Sequence, residues 1–546
     1  MNLRLHRSLS SAICTSLGAI FAVMAALPSQ ALGQPAELRQ LTLQLQTRDP
    51  VTGAPSSRAE VVDPRKVGVV VVDMWNWHWC KTSTMRVAAL VPRMNRVLNA
   101  ARKVGMQVFL CPTDVADNYV GTPMVESLVA TPLLPVPQAR VIECPAAPDG
   151  GGCTCGAERC QSNYGWDGMH PDLQIGESDL MPNDQQMLYS LCRARGITHL
   201  IFMGVHTQVC LLGKSIGLRA MSQAGLNCVL ARDLTDAHGK YDLSTQTTPD
   251  SFTETVVAHF EKHLAPTVNM VETLEQNGLW ESGVRIDPVR VAPWGTLMRP
   301  HLFEKEITVT LSAPWQKDAV ICYTLDGSAP TPDSLRYRAP FPIRDTTRLR
   351  AMAFRDGKPA TLGSEAYFAH LDSKPPLPDI FLSELKPLRA VGPGHSPSFN
   401  DHRFSPGSNP PQLDQTNRKQ PLRLRGQRYQ KGLGMQAPSQ VVYELMPGYD
   451  RFVASAGVDE YIVDVNNASN LGMHPSVVFK VFIDGRQAAA SPVMRLLEEP
   501  WRFNVPIPPG SRRLSLVATD AGDGNREDLA NWVNAGFVTK PGAAPH

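Results

Sequence analysis

HLIFMGVHTQVCLLGKSIGLRAMSQAGLNCVLARDLTDA, residues 199–237, is the stretch that decides the fold. An apolar run from His199 to Met203 passes through Gly204-Val205-His206-Thr207 into a pattern with helical spacing over residues 211–224, stopped by Gly225. A second apolar run follows at Cys228 to Ala231. Two short apolar runs on either side of an amphipathic helix form a βα unit whose strands are covered on both faces. The same alternation continues upstream. Residues 67–72 are all valine apart from Gly68, residues 85–104 have helical spacing and end at Gly105, and residues 107–111 read as a strand. A helix over residues 184–195 is closed by Gly196. Downstream, Ser251 with Glu254 predicts a capping box before the helix that carries Val256, Val257 and Phe260. Repeated βα units predict a parallel sheet with helices on both faces, and ligands then sit at the carboxyl ends of the strands.

The chain has 546 residues, which at roughly 100–200 residues per domain asks for several domains. After about residue 282 the texture changes. Residues 284–371 alternate in short runs broken by turn pairs such as Asp326-Gly327 and Asp356-Gly357, which predicts a small β-sandwich. Ser373-Lys-Pro-Pro-Leu-Pro378 is a stiff linker by composition. Residues 379–538 are again all-β by pattern, with a strand at 476–483 ahead of Asp484-Gly485 and a Pro/Ser/Asn/Gly-rich surface loop at 392–420. With 53 basic against 51 acidic residues, the net charge of +2 leaves no electrostatic footprint for nucleic acid.

At the N-terminus, Arg4, His6 and Arg7 precede a short apolar core at residues 12–27, followed by small residues at Ser29, Ala31 and Gly33. This is the layout of a secretory signal peptide over residues 1–33 and predicts export to the periplasm or beyond. Ten of the 11 cysteines lie beyond that segment, so disulfides are expected in such a compartment. Cys153, Cys155 and Cys160 cluster after Gly150-Gly151-Gly152, with Cys144 and His170 nearby and Cys80 a remote partner. Their spacing departs from a paired CxxC ribbon, so disulfides stapling the loop are expected ahead of zinc.

Cys210 opens a helix at the end of a buried strand, where free backbone N–H groups favour a thiolate and a neighbouring oxyanion. Asp73 stands at the carboxyl end of the first strand in VVVVDMWNWHWC. These motifs, within residues 65–270, resemble the isochorismatase-like cysteine hydrolases, a family that includes nicotinamidases. The resemblance implies a three-layer parallel-sheet sandwich of about six strands over residues 60–280. It implies Cys210 as nucleophile, Asp73 as base, and a non-proline cis peptide between Val205 and His206. The family's catalytic lysine falls on Glu177 in an ungapped count, which reverses the charge beside Asp73 and Cys210. Compensation could come from His206, His78, Lys81, or a divalent metal in the pocket held by Asp73, Glu177 and Asp114. Val205, His206, Thr207, Trp75 and His78 are the candidate pocket residues, and of Trp75, Trp77 and Trp79 some face the pocket while others pack.

Residues 284–372, with Tyr323, Asp326-Gly327-Ser328, Pro330-Thr331, Tyr337 and Arg348-Leu349-Arg350-Ala351, resemble the chitobiase/β-hexosaminidase C-terminal domain. That resemblance implies an immunoglobulin-like β-sandwich. Residues 379–540, with GQRYQKGLGMQAPSQVVYEL and DLANWVNAGF, resemble the NPCBM domain, a carbohydrate-binding type with a galactose-binding-like β jelly roll. Trp532, Tyr429, Arg428 and Asp459 are the sugar-contact candidates. Asp520, Asp523 and Asp528 could hold calcium, with a solvated acidic loop preferred. The expected protein is an exported cysteine hydrolase acting on a small amide and tethered to cell-wall glycan. The alternative is a carbohydrate-binding protein with a catalytically silent hydrolase-like domain. Homo-oligomers are common in the hydrolase family.

Overall fold

The computed structural model describes residues 40–112, 115–156, 160, 165–166, 168–281, 283–393, 404–406, 409–461, 463, 475–525 and 527–541. The signal-peptide segment, Asp114 and part of the 392–420 loop lie outside the described residues. A mixed α/β region comes first and β-rich regions follow.

The first sheet contains β1 (Leu41–Arg48), β2 (Pro55–Val62), β3 (Val67–Val72), β4 (Gln107–Cys111), β5 (His199–Val205), β6 (Asn227–Asp236) and β7 (Thr267–Val268), in the order β2-β1-β7-β6-β5-β3-β4. Strands β7, β6, β5, β3 and β4 are parallel, and β1 pairs antiparallel with both β2 and β7. The expected all-parallel sheet of about six strands is therefore corrected to five parallel strands with a hairpin on one edge. Most of that hairpin precedes residue 60, where the α/β region was expected to begin. Leu41, Leu43 and Leu45 alternate inward, but β2 is exposed along almost its whole length and carries little apolar signal. All of β3 is buried, as its valines require. A Cβ on Gly68 would come within 2.7 Å of Leu200 and 2.8 Å of Phe109, so glycine here sets the close packing of the central strands.

Two helix expectations also change. The capping box is formed by Thr248 and Ser251, and the helix runs Pro249–His263. Thr248 wins because Pro249 then occupies the first helical position, where its missing N–H costs nothing. The predicted helix over 211–224 is broken. Thr207–Leu211 is a wide π turn, the chain bends at 214–217, and an α-helix resumes at Leu218–Gln223. At Gly217 a Cβ would lie 2.8–3.2 Å from the carbonyl oxygens of Lys214, Leu211 and Cys210, so a glycine makes the bend possible.

The next region packs a three-stranded sheet (Phe341–Ile343, Ile307–Ser312, Arg290–Ala292) against a six-stranded one built around Thr347–Arg355. Val289, Val291, Phe303, Val309, Leu349 and Phe368 form its core. The C-terminal region pairs a six-stranded with a seven-stranded antiparallel sheet, closing over Trp532, Phe452, Phe479, Phe503 and Phe537. The strand at Ser476–Ile483 falls where the alternation placed it.

These regions meet around one segment, residues 75–81. Trp77 and Trp79 pack against the C-terminal core. The Arg299 guanidinium lies 4.1 Å from the Trp77 ring centroid and donates to the carbonyls of His78 (2.8 Å) and Trp79 (2.7 Å). Lys81 donates to the Pro300 carbonyl and pairs with Glu498 at 2.8 Å, both nearly buried. Arg299→Met should therefore destabilise the chain by about 2 kcal/mol, since two buried carbonyls lose a charged donor. A urea midpoint that falls with an unchanged slope checks this.

Candidate active site

Strands β3 and β5 run side by side with Val72 opposite Gly204, so the residues that follow each strand emerge on one rim. Gly204 has φ +113, and a Cβ there would sit 2.0 Å from the Val72 carbonyl oxygen; this contact excludes every other residue. Asp73 turns off β3 with φ 49 and is fully buried. Beyond Gly204 the Val205–His206 peptide is cis, as the resemblance implied. The wide turn at Thr207–Leu211 then carries Cys210, which is 8% exposed. Val205 is buried in the strand, and the Thr207 hydroxyl lies 2.8 Å from that of Thr235, so both brace the turn.

A cation completes the group, from a place the sequence reading missed. Lys214 Nζ lies 2.9 Å from Asp73 Oδ2. Lys214 stands four residues after Cys210, with its N–H bonded to the Cys210 carbonyl at 3.3 Å, so both side chains leave the same face of the turn. That spacing was the available signal. Glu177 is corrected: it is exposed, in a turn where Asp179 N–H bonds the Gly176 carbonyl and Gln107 Nε2 donates to the Ser178 carbonyl. This is the amino end of β4, whereas Asp73 N–H bonds Cys111 at its carboxyl end. The 5 residues of β4 separate them by about 15 Å at ~3.3 Å per residue. With Glu177 remote, Asp73 paired to Lys214 and Asp114 outside the described residues, the metal set anticipated for the pocket is not assembled. Burial pushes the Cys210 thiol well up, and the Asp73 charge and hydrogen bond push it further. Lys214 and the His206 backbone pull it back. At rest it is a neutral thiol hydrogen-bonded to a carboxylate, the state from which a base removes a proton as attack occurs.

Rings line the approach. Trp75 stacks on Trp166 with centroids 4.3 Å apart and meets His206 edge-on at 5.3 Å. His78 lies 4.9 Å from His238 and 5.3 Å from His206, and His206 stacks on His238 at 4.6 Å. Burial, followed by the neighbouring His238, lowers the His206 pKa well below the usual range, so the ring is neutral. Its Nδ1 lies 3.2 Å from the Asp236 carbonyl, which can only accept, so Nδ1 carries the hydrogen and Nε2 is a bare acceptor. That Nε2, Nε2 of His238, and Nε1 of Trp75 and Trp166 are buried with no protein partner among the described residues. His238 and Trp166 were not foreseen; they reach the site only through tertiary contact. Trp75 and His78 face this cluster, whereas Trp77 and Trp79 pack at the region boundary.

The C-terminal candidates separate. Trp532 is corrected: it has no exposed surface and packs on Phe452, Phe479 and Phe503. Tyr429 lines a cleft of about 240 Å³ with Gln427, Arg425 and Pro500. Arg428 and Asp459 share a different recess with Tyr461 and Arg423, of about 110 Å³. Asp459 accepts from Asn531 Nδ2 and Tyr461 N, each at 2.7 Å. The calcium trio does not assemble, because its carboxylates are used elsewhere. Asp528 accepts from Ser476 N, and Asp523 takes the Ser476 hydroxyl and pairs with Arg495 at 3.2 Å. The disulfide expectation is corrected too, since the ten described cysteines are free thiols. Cys144 lies 3.6 Å from His259 Nε2, and His170 Nδ1 accepts from Asp172 N, so neither joins the other three cysteines of the loop.

Residues 397–538 match the NPCBM/NEW2 domain family, and residues 300–364 match the chitobiase/beta-hexosaminidase C-terminal domain family. A Renibacterium salmoninarum protein described as "Putative endo-alpha-N-acetylgalactosaminidase" is 28% identical over 176 residues, 32% of this chain and 10% of that protein. The chain thus spans about a tenth of the length of that curated relative. Among solved structures, the CBM51 of Clostridium perfringens GH95 in complex with methyl-galactose is 26% identical, covering 29% of this chain and 99% of that one at a TM-score of 0.24. An isochorismatase of Pseudomonas putida is 13% identical, covering 39% of this chain and 91% of that one at a TM-score of 0.24. The chain therefore carries a chitobiase/β-hexosaminidase C-terminal domain followed by an NPCBM/NEW2 domain.

Proposed function

We propose that this protein is an exported, glycan-associated cysteine hydrolase that cleaves a C–N bond in a small amide. The observation that carries the reading is the Lys214–Asp73 ion pair of 2.9 Å beside Cys210. It supplies the cation whose absence from the expected position spoke for a silent domain. Cys210 Sγ attacks the amide carbonyl carbon while its proton passes to Asp73. The C–N bond breaks as Asp73 returns that proton to the departing nitrogen, and water then cleaves the thioester to acid and free thiol. Lys214 holds the Asp73 carboxylate in place. The ring cluster suits an amide, because the Trp75 and Trp166 N–H groups can donate to its oxygen and His206 Nε2 can accept from its nitrogen.

The glycan part rests on the NPCBM/NEW2 match and on the recess formed by Arg428, Asp459 and Tyr461, which offers charge and a ring face. Export rests on the pattern of residues 1–33, and no helix among the described residues is long and apolar enough to cross a membrane. The test is a screen of small primary amides with the full chain and Cys210→Ala, with a glycan array run on both. Turnover in the wild type, lost by at least ~10³-fold in the variant, with equal glycan binding by both, supports the proposal. Glycan binding without turnover by either protein favours the carbohydrate-binding alternative, and no binding removes the glycan assignment.

A further inference from the structure

The search outside the candidate active site leads to the head of the 23-residue helix α1 (Lys81–Lys103), whose N-cap is Cys80. The loop that follows Gly150 brings Cys153, Cys155 and Cys160 against it. The four sulfur atoms all lie within 4.8 Å of one another. Cys80–Cys155 and Cys80–Cys153 are 3.6 Å apart and Cys155–Cys160 is 3.7 Å. A disulfide would need about 2.05 Å. Thiolates at ~2.3 Å from a tetrahedral zinc ion are separated by about 3.8 Å along each edge. The observed spacing is that of the tetrahedron.

We infer that Cys80, Cys153, Cys155 and Cys160 bind one tetrahedral zinc ion. The surroundings are those of thiolates. Cys153 Sγ accepts from the backbone N–H of Cys155 and of Cys160, each at 3.4 Å. Cys80 Sγ accepts from Thr154 N at 3.4 Å, and the Thr154 hydroxyl lies 3.2 Å away. The Thr82 hydroxyl lies 3.1 Å from Cys155 Sγ. A thiolate has no hydrogen to give, so both hydroxyls donate and the bonds become charge-assisted. The free N–H groups of α1 add positive potential at Cys80. Cys80, Cys153 and Cys155 are at most 4% exposed, which closes the site to solvent as in structural rather than catalytic zinc centres. Four sulfur ligands and no oxygen select zinc over calcium or magnesium.

The ion would brace the ring cluster from two sides without taking part in its chemistry. Cys80 N–H donates to His78 Nδ1 at 3.0 Å. Gly150 packs so tightly on the His238–Gly239 backbone that a Cβ would fall 2.1 Å from the His238 oxygen, and Lys240 N bonds the Gly150 carbonyl at 2.7 Å. The zinc site and the hydrolase reading stand independently.

The test is elemental analysis of the purified full chain by mass spectrometry, with alkylation of the native and the denatured, chelator-treated protein. The expected result is about one zinc per chain, with four cysteines protected in the native state and all four free thiols once zinc is removed. Replacement by cobalt should give the intense visible absorption of tetrahedral thiolate coordination, a readout that does not depend on any variant folding. Cys153→Ser with Cys155→Ser should lower the zinc content at least tenfold. Sub-stoichiometric metal with either two disulfides or four freely alkylated thiols overturns the inference, and stoichiometric iron overturns the choice of zinc.

Discussion

Arg86→Met is expected to lower the unfolding free energy by about 3–5 kcal/mol, because it leaves two carboxylates without their shared cation. Arg86 is 1% exposed on α1. Its Nε lies 3.0 Å from both Asp236 oxygens, and its Nη2 lies 2.5 Å from Asp236 and 2.7 Å from Asp250. Asp250 also pairs with Arg290 at 2.6 Å and takes the Ser312 hydroxyl, so one cluster joins α1, β6, the helix at Pro249–His263 and the β-sandwich. Burial pushes Asp250 up, but Arg86 and Arg290 outweigh it and hold its carboxyl well below the usual range. A depressed carboxyl stabilises the folded state above the unfolded pKa of about 4, and that contribution fades as pH falls below it. Urea unfolding should show the full loss in Arg86→Met at pH 7 and a shallower acid slope below pH ~4 than in wild type. An unchanged midpoint would mean that the charges are solvated after all.

Lys214→Met is expected to slow amide turnover and Cys210 alkylation by on the order of 10²-fold at neutral pH, with little effect on stability. The cation at 2.9 Å from Asp73 is one of the two influences that pull the buried Cys210 thiol down. At an effective dielectric of ~20, a charge about 4 Å away is worth about 4 kcal/mol, and partial solvent exposure of Lys214 (21%) reduces that. The pH profile of alkylation, read by peptide mass spectrometry, should shift to higher pH in the variant. Lys214→Arg should recover part of the rate. Equal profiles in wild type and Lys214→Met would remove Lys214 from the site and with it the main support for catalysis.

The elements that place Cys210 and Asp73 were legible because their cause is local. A run of valines can only be a doubly covered strand, and Gly204 before His206 marks where the chain leaves it. The sandwich and jelly roll were legible for the same reason, through period-two alternation and turn pairs. The edge hairpin was not, because β2 faces solvent and its residues answer to pairing rather than burial. Trp532 was misread because an aromatic residue in a strand has the same sequence signature whether it points into the core or out of it.

By itself, then, the sequence determined the strand and helix order, the two C-terminal domain types, and the nucleophile and base at the ends of adjacent strands. Only the tertiary structure decided which cation meets Asp73, which rings face the pocket, and that Cys80 joins three cysteines more than 70 positions away. Periodicity reports a residue's own exposure, whereas charge pairing and metal geometry depend on distances between side chains that the chain brings together only after folding.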